Sequence, residues 1–156
     1  MFKYKFINSG KTLTENDIQA VEKEIGQSLP EVLKDFYLQS NGGELEGERY
    51  VYLNEETGGE FNVNTFLPIK YKRFEEDYLL EECFNFFVIE KEFMPPEFIP
   101  FAIDDGGYPY AVNTRDLTVN ICYLADIEEN KKPMRFVAPS LQEFVNGMVT
   151  EEEAYQ

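Results

Sequence analysis

Carboxylates are what this chain offers to chemistry. Residues 41–60 carry Glu44, Glu46, Glu48, Glu55, Glu56 and Glu60 against the single base Arg49, and residues 74–92 carry seven acids against Lys91. Asp104 and Asp105 stand side by side further on. Paired carboxylates hydrolyse glycosides when two of them are held roughly 5–9.5 Å apart across a cleft. They bind Ca²⁺ when loop spacing makes their oxygens converge. These acids instead fall in expected turns and on helix surfaces, and Asp104-Asp105 lacks the D-x-[DN]-x-[DN]-G spacing of a calcium loop. The chain has no histidine. That removes Ser-His-Asp and Cys-His catalysis and the commonest transition-metal ligand. Neither G-x-x-x-x-G-K-[ST] nor G-x-G-x-x-G occurs. Cys83 and Cys122 fit no zinc spacing and read as two buried free thiols. No catalytic residue, metal or cofactor is expected.

The charge balance points to a partner instead. Thirty acidic residues against fourteen basic give a net charge of −16. Phosphate backbones and anionic lipid surfaces repel such a chain, so neither nucleic acid nor membrane is expected as a partner. A basic protein would be steered toward it. No apolar run approaches the roughly 18 residues that span a bilayer. The opening MFKYKFINSGKTLTEND lacks the apolar stretch of a signal peptide, so the expected compartment is the cytoplasm. With 43% apolar residues, 15% aromatic residues and a length of 156, one domain with its own core is expected over residues 1–156.

The elements that must position these groups are legible from period and punctuation. Thr14 is a helix cap with Asp17 at N3, and Leu13 and Ile18 form a hydrophobic staple around it. Ile18, Val21 and Ile25 then make one narrow apolar stripe, with Glu22, Lys23 and Glu24 on a solvated face and Gly26 as the stop. Leu29-Pro30 opens a second helix with Leu29, Leu33, Phe36 and Tyr37 on one face. Asn41-Gly42-Gly43 ends it and reads as a cap in the left-handed conformation. Residues 50–53 and 61–67 read as strands around a hairpin loop at 54–60. Phe74 to Glu82 reads as a short helix. Residues 83–92, CFNFFVIEKE, fit either a helix continuation or a strand, and Met94-Pro95-Pro96 breaks it. Residues 98–103, the Asp104-Asp105-Gly106-Gly107 turn and residues 108–113 read as a hairpin. Strands at 118–124 and 135–138, a last helix from Ser140, and a frayed acidic tail at 151–156 complete the chain. This order predicts an α+β fold: an antiparallel sheet with an N-terminal helix pair, an inserted helix and a C-terminal helix.

Four stretches in order, LTENDIQAVEKEIGQSLPEVLKDFYLQSNGG, FIPFAIDDGGYPYAVN, VNICYL and VAPSLQEFVNGM, resemble the SUKH superfamily, the Smi–Knr type of domain. The family's helical signature falls on Asp17, Glu22, Leu29, Pro30, Asn41, Gly42 and Gly43. Its middle signature falls on Ile99 to Tyr110, and its last on Ala138, Ser140, Leu141 and Phe144. Leu141 stands where an aromatic is usual, and Tyr108 follows Gly107 where Asp is frequent. The resemblance covers roughly residues 13–150 and carries no catalytic residues. It implies a binding role. Bacterial members look like immunity proteins that neutralise a cognate polymorphic or contact-dependent toxin, and fungal members resemble regulatory scaffolds of cell-wall synthesis. The reading is therefore a non-enzymatic immunity protein for a basic toxin, with a Smi–Knr-type regulator or scaffold as the alternative. The candidate partner-binding residues are Glu44, Glu46, Glu55, Glu56, Glu60, Asp104 and Asp105 for steering, with Tyr108 and Tyr110 as anchors beside Tyr50 and Tyr52.

Overall fold

Thr14 opens α1 (Glu15–Ile25) through reciprocal bonds: the Asp17 N–H donates to Thr14 Oγ1 at 3.2 Å and the Thr14 N–H to Asp17 Oδ2 at 2.9 Å. Gly26 closes α1 with φ 78°, as its type predicts. Ile18, Val21 and Ile25 are the buried stripe. Glu22 is not on a solvated face. Its Oε2 accepts the Leu29 N–H at 2.6 Å and lies 3.8 Å from Lys34 Nζ, so it fixes the turn into α2 (Glu31–Gln39). The computed structural model describes residues 2–129 and 132–156.

All strand pairings are antiparallel among the described residues, and they fall into three sheets rather than one. β1 (Phe6–Ile7) pairs β2 (Glu44–Leu45). β3 (Arg49–Asn54) pairs β4 (Gly59–Asn62) through the expected hairpin. β5 (Thr65–Phe66), β6 (Phe98–Ile103), β7 (Pro109–Asn113), β8 (Val119–Cys122) and β9 (Met134–Ala138) form a five-stranded sheet in that order. The run expected as one strand at 61–67 is split because its backbone changes partner between adjacent residues. The Val63 N–H donates to Tyr50 O at 2.9 Å, and the Asn64 N–H donates to Ile103 O at 2.8 Å.

The expected helix at 74–82 begins late, as α3 (Leu80–Phe84). Asp77 explains the delay. Its carboxylate takes the Arg73 N–H at 3.0 Å, the Arg73 guanidinium at 2.7 and 2.8 Å, and the Tyr78 N–H at 3.0 Å. A side chain that captures nearby donors competes with the helix ladder. The ambiguous residues 83–92 resolve as helical up to Glu90. After α3 comes a π-helical turn, Asn85–Glu90, with the Lys91 N–H donating to Phe86 O, five residues back, at 3.0 Å. α4 (Leu124–Glu128) follows β8. Ser140 caps α5 (Leu141–Asn146), accepting the Glu143 N–H at 3.1 Å.

The expected frayed tail is ordered. β10 (Val149–Thr150) pairs β3, and α6 (Glu151–Ala154) follows. Glu153 lies 3.3 Å from Arg49, and the Tyr50 hydroxyl donates to Glu151. One contiguous core joins these layers. Phe36 of α2 meets Phe66 and Phe101 with ring centroids 5.8 and 6.3 Å away. Phe144 of α5 meets Tyr52, Phe101 and Tyr110 at 5.1–6.0 Å. No helix is long and apolar enough to cross a membrane among the described residues.

Candidate functional site

Asn41-Gly42-Gly43 is not the left-handed cap expected of it. Ser40, with φ −158°, ends α2 in extended backbone. Gly42 and Gly43 do have positive φ, 71° and 108°. The reason is close approach: a Cβ on Gly42 would meet Phe66 O at 2.6 Å, and one on Gly43 would strike Ile7 O. Asn41 beside them is buried. Its Nδ2 donates to Lys11 O and Ile69 O, both at 3.0 Å, and its Oδ1 accepts the Ile69 N–H at 2.7 Å. Asp17 is also committed internally, accepting the Tyr71 hydroxyl at 2.9 Å. The Thr14 backbone bond, then the Tyr71 bond, hold its carboxyl below the usual range. The polar residues of the helical signature therefore tie the fold together.

The acidic turns remain at the surface. A depression of about 490 Å³ lies between the β2–β3 turn and the β6–β7 turn, over Leu45, Val63 and Phe66. Glu44, Glu48, Arg49, Tyr50, Asn64 and Asp105 bring polar groups to it. Asn62, at the end of β4, fastens the β6–β7 turn: its Oδ1 accepts the Asp105 N–H at 3.0 Å and its backbone O accepts the Tyr110 hydroxyl at 2.6 Å. Asn64 Nδ2 reaches Asp105 Oδ1 at 3.4 Å. Glu44 and Asp105 are thus brought together.

The other candidates are placed elsewhere. Glu46 is exposed in the β2–β3 turn, with its N–H bound to Lys5 O at 2.9 Å. Glu55 and Glu56 are exposed at the β3–β4 tip, which Asn54 shapes by accepting the Glu56 and Thr57 N–H groups at 3.0 and 3.1 Å. Glu60 is exposed on β4 opposite Leu53. Asp104 is half-buried and occupied within its own turn, accepting the Gly106 and Tyr108 N–H groups at 2.9 and 2.8 Å. Tyr108 is half-buried, with its ring edge-on to Tyr123 at 5.8 Å.

Tyr110 must be struck from the contact residues. It is fully buried, and burial, then Asp104, pushes its hydroxyl upward. Tyr52 is buried as well. Sequence reasoning left Glu48 and Arg49 out of the site. The signal available was Gly47, whose φ of 75° turns the chain so that Glu48, at φ 56°, faces the same depression. Among the described residues, no group of three or more His, Cys, Asp or Glu is arranged to hold a metal ion. Cys83 and Cys122 are free and buried, and burial pushes both thiols up to about 12.

Fold and surface together define an α+β domain in which a helix pair closes over antiparallel sheets and acidic turns meet around a shallow depression. The chain belongs to the SMI1 / KNR4 family (SUKH-1), whose model matches residues 12–147. No curated protein matches it.

Proposed function

We propose that the chain is a non-enzymatic cytoplasmic binding protein, an immunity protein that neutralises a basic toxin. One observation carries this reading. In a SMI1 / KNR4 domain, the exposed carboxylates of Glu44, Glu48 and Asp105 surround a depression that also presents Tyr50. A tyrosine beside acids suits tight docking of a basic surface, with the ring as rigid contact area and the charges as steering. Tyr50 is held in place by Glu151, and its hydroxyl is pushed upward by that hydrogen bond.

The test is co-expression with toxins encoded beside the gene, scored as rescue of growth. The expected result is rescue by the wild-type chain and its loss with Glu44→Lys, Glu48→Lys and Asp105→Lys combined. Rescue that survives the triple reversal would overturn the assignment of this surface. Failure to rescue from any adjacent toxin would favour the regulator or scaffold reading.

A further inference from the structure

The π-helical turn at Asn85–Glu90 forms the wall of a groove of about 920 Å³, larger than the acidic depression. Phe86, Ile89 and Tyr78 line it and stay 42%, 59% and 61% exposed. Apolar side chains grouped at the surface in this way mark contact sites, and π-helical turns recur at functional positions. Glu81 also lines the groove and is only 5% exposed. Its Oε2 accepts the Lys70 N–H at 2.9 Å, while its buried Oε1 has no hydrogen-bond partner. A buried acceptor left in this state is destabilising until a donor reaches it. The terminal torsion of a glutamate is soft, so Oε1 can turn toward an incoming group. Burial raises the proton affinity of Glu81, and Glu24 and Glu82 add to the effect. The charged lining is Glu24, Glu81, Glu82 and Glu90, without a lysine or arginine among the described residues. Of the neighbouring cations, Lys72 pairs with Glu82 at 3.4 Å and Lys91 sits 5.8 Å from the Phe86 ring centre.

We propose that this groove binds a partner protein through an arginine flanked by apolar residues. The guanidinium donates to Glu81, and its apolar neighbours lie on Phe86 and Ile89. A guanidinium suits the position better than an ammonium because it is weakly hydrated and carries donors in a planar fork. A second copy of this chain is a poor occupant, since each copy brings −16 and the same acids. The surface differs from the Glu44–Asp105 depression, and the inference does not depend on a toxin being the partner there.

The experiment is selection of a phage-displayed library of random peptides, about 12 residues long, on the immobilised full chain. Peptides with an arginine between apolar residues are expected to be enriched. An enriched peptide, synthesised and titrated, is expected to bind Glu81→Gln and Ile89→Asp at least tenfold more weakly. Ile89 lies outside the core, so its variant remains informative if Glu81→Gln misfolds, which circular dichroism would show. Binding should persist in the combined Glu44, Glu46, Glu55 and Glu56→Lys variant, and its loss there would assign the peptide to the acidic turns and overturn the groove. No enrichment, enrichment without a basic residue, or unchanged affinity in folded variants would also overturn the proposal. So would a dimer in sedimentation velocity that Ile89→Asp disperses.

Discussion

Replacing Asn41 tests the reason for its burial. The side chain is 2% exposed and bonds to residues 28 and 30 positions away in sequence. Alanine removes all three bonds and strands the buried Ile69 N–H, while the Ile69 carbonyl keeps the Tyr71 N–H and the Lys11 carbonyl lies nearer to water. The stranded donor costs about 1–3 kcal/mol and each of the two other lost bonds about 0.5–1.5 kcal/mol, so Asn41→Ala should lose about 2–6 kcal/mol. Aspartate has nearly the same shape but a different sign. One oxygen can still accept the Ile69 N–H. The other faces two carbonyl oxygens where a donor stood, so only a protonated carboxyl can bond there. Its folded proton affinity is therefore raised above the ordinary carboxyl value of about 3.9. A raised carboxyl contributes stability that is fully present below the unfolded value and lost as pH rises through the folded one. Asn41→Asp should thus lose stability relative to Asn41→Ala as pH climbs upward from about 4. The chain has ten tyrosines and no tryptophan, so urea unfolding can be followed by tyrosine fluorescence on both variants at each pH. An alanine loss under about 1 kcal/mol, or a gap between the variants that ignores pH, would refute the reasoning.

Truncating the core face of the helix pair, at Leu29→Ala or Phe36→Ala, should cost about 2–5 kcal/mol in urea denaturation, because both side chains are buried. Gly26→Ala and Gly43→Ala should separate. Gly26 has φ 78° with open space around it, so its loss should be about 1 kcal/mol. A Cβ on Gly43 strikes Ile7 O, so thermal unfolding should show a larger drop there. Reversing Glu44, Glu46, Glu55 and Glu56 to lysine together should slow association with the basic partner by about tenfold or more at low salt. Stopped-flow mixing should show the effect fade as salt rises, with fold stability little changed because all four are exposed.

What was legible followed from local rules. Thr14 with Asp17, Gly26 and the start of the last helix at Ser140 are written in a few adjacent residues, and the structure has them. The alternation around Asp104–Gly107 likewise gave the β6–β7 hairpin. What could not be read depends on partners distant in sequence. Glu22 looks like any exposed helix acid until Leu29 turns back to it. Asn41-Gly42-Gly43 has the composition of a cap, and only the approach of Phe66 and Ile7 shows why glycine is needed. Tyr110 alternates like a surface strand residue, yet α5 covers it with Phe144. The acidic tail lacks an apolar stripe, and its order rests on Arg49 and Tyr50. At the candidate site, the carboxylates were visible but their grouping was not, because the β6–β7 turn is fastened to the end of β4, 43 residues away.

The path of the five-stranded sheet bears on how the molecule assembles in time. β6 to β9 follow one another within residues 98–138, each pairing with the next. Its β6–β7 and β7–β8 connections are short loops and its β8–β9 connection spans residues 123–133, so every closure is local, and local closures are the fast ones. The helix pair, by contrast, is fastened by Asn41 to residues 28–30 positions away. We infer that the meander nucleates and the helices dock late. Val112→Ala, in the centre of β7, should then slow folding, while Phe36→Ala should leave the folding rate nearly unchanged and hasten unfolding. In a chevron plot the two substitutions would move opposite arms, and equal movement of the folding arm by both would reverse the order of assembly.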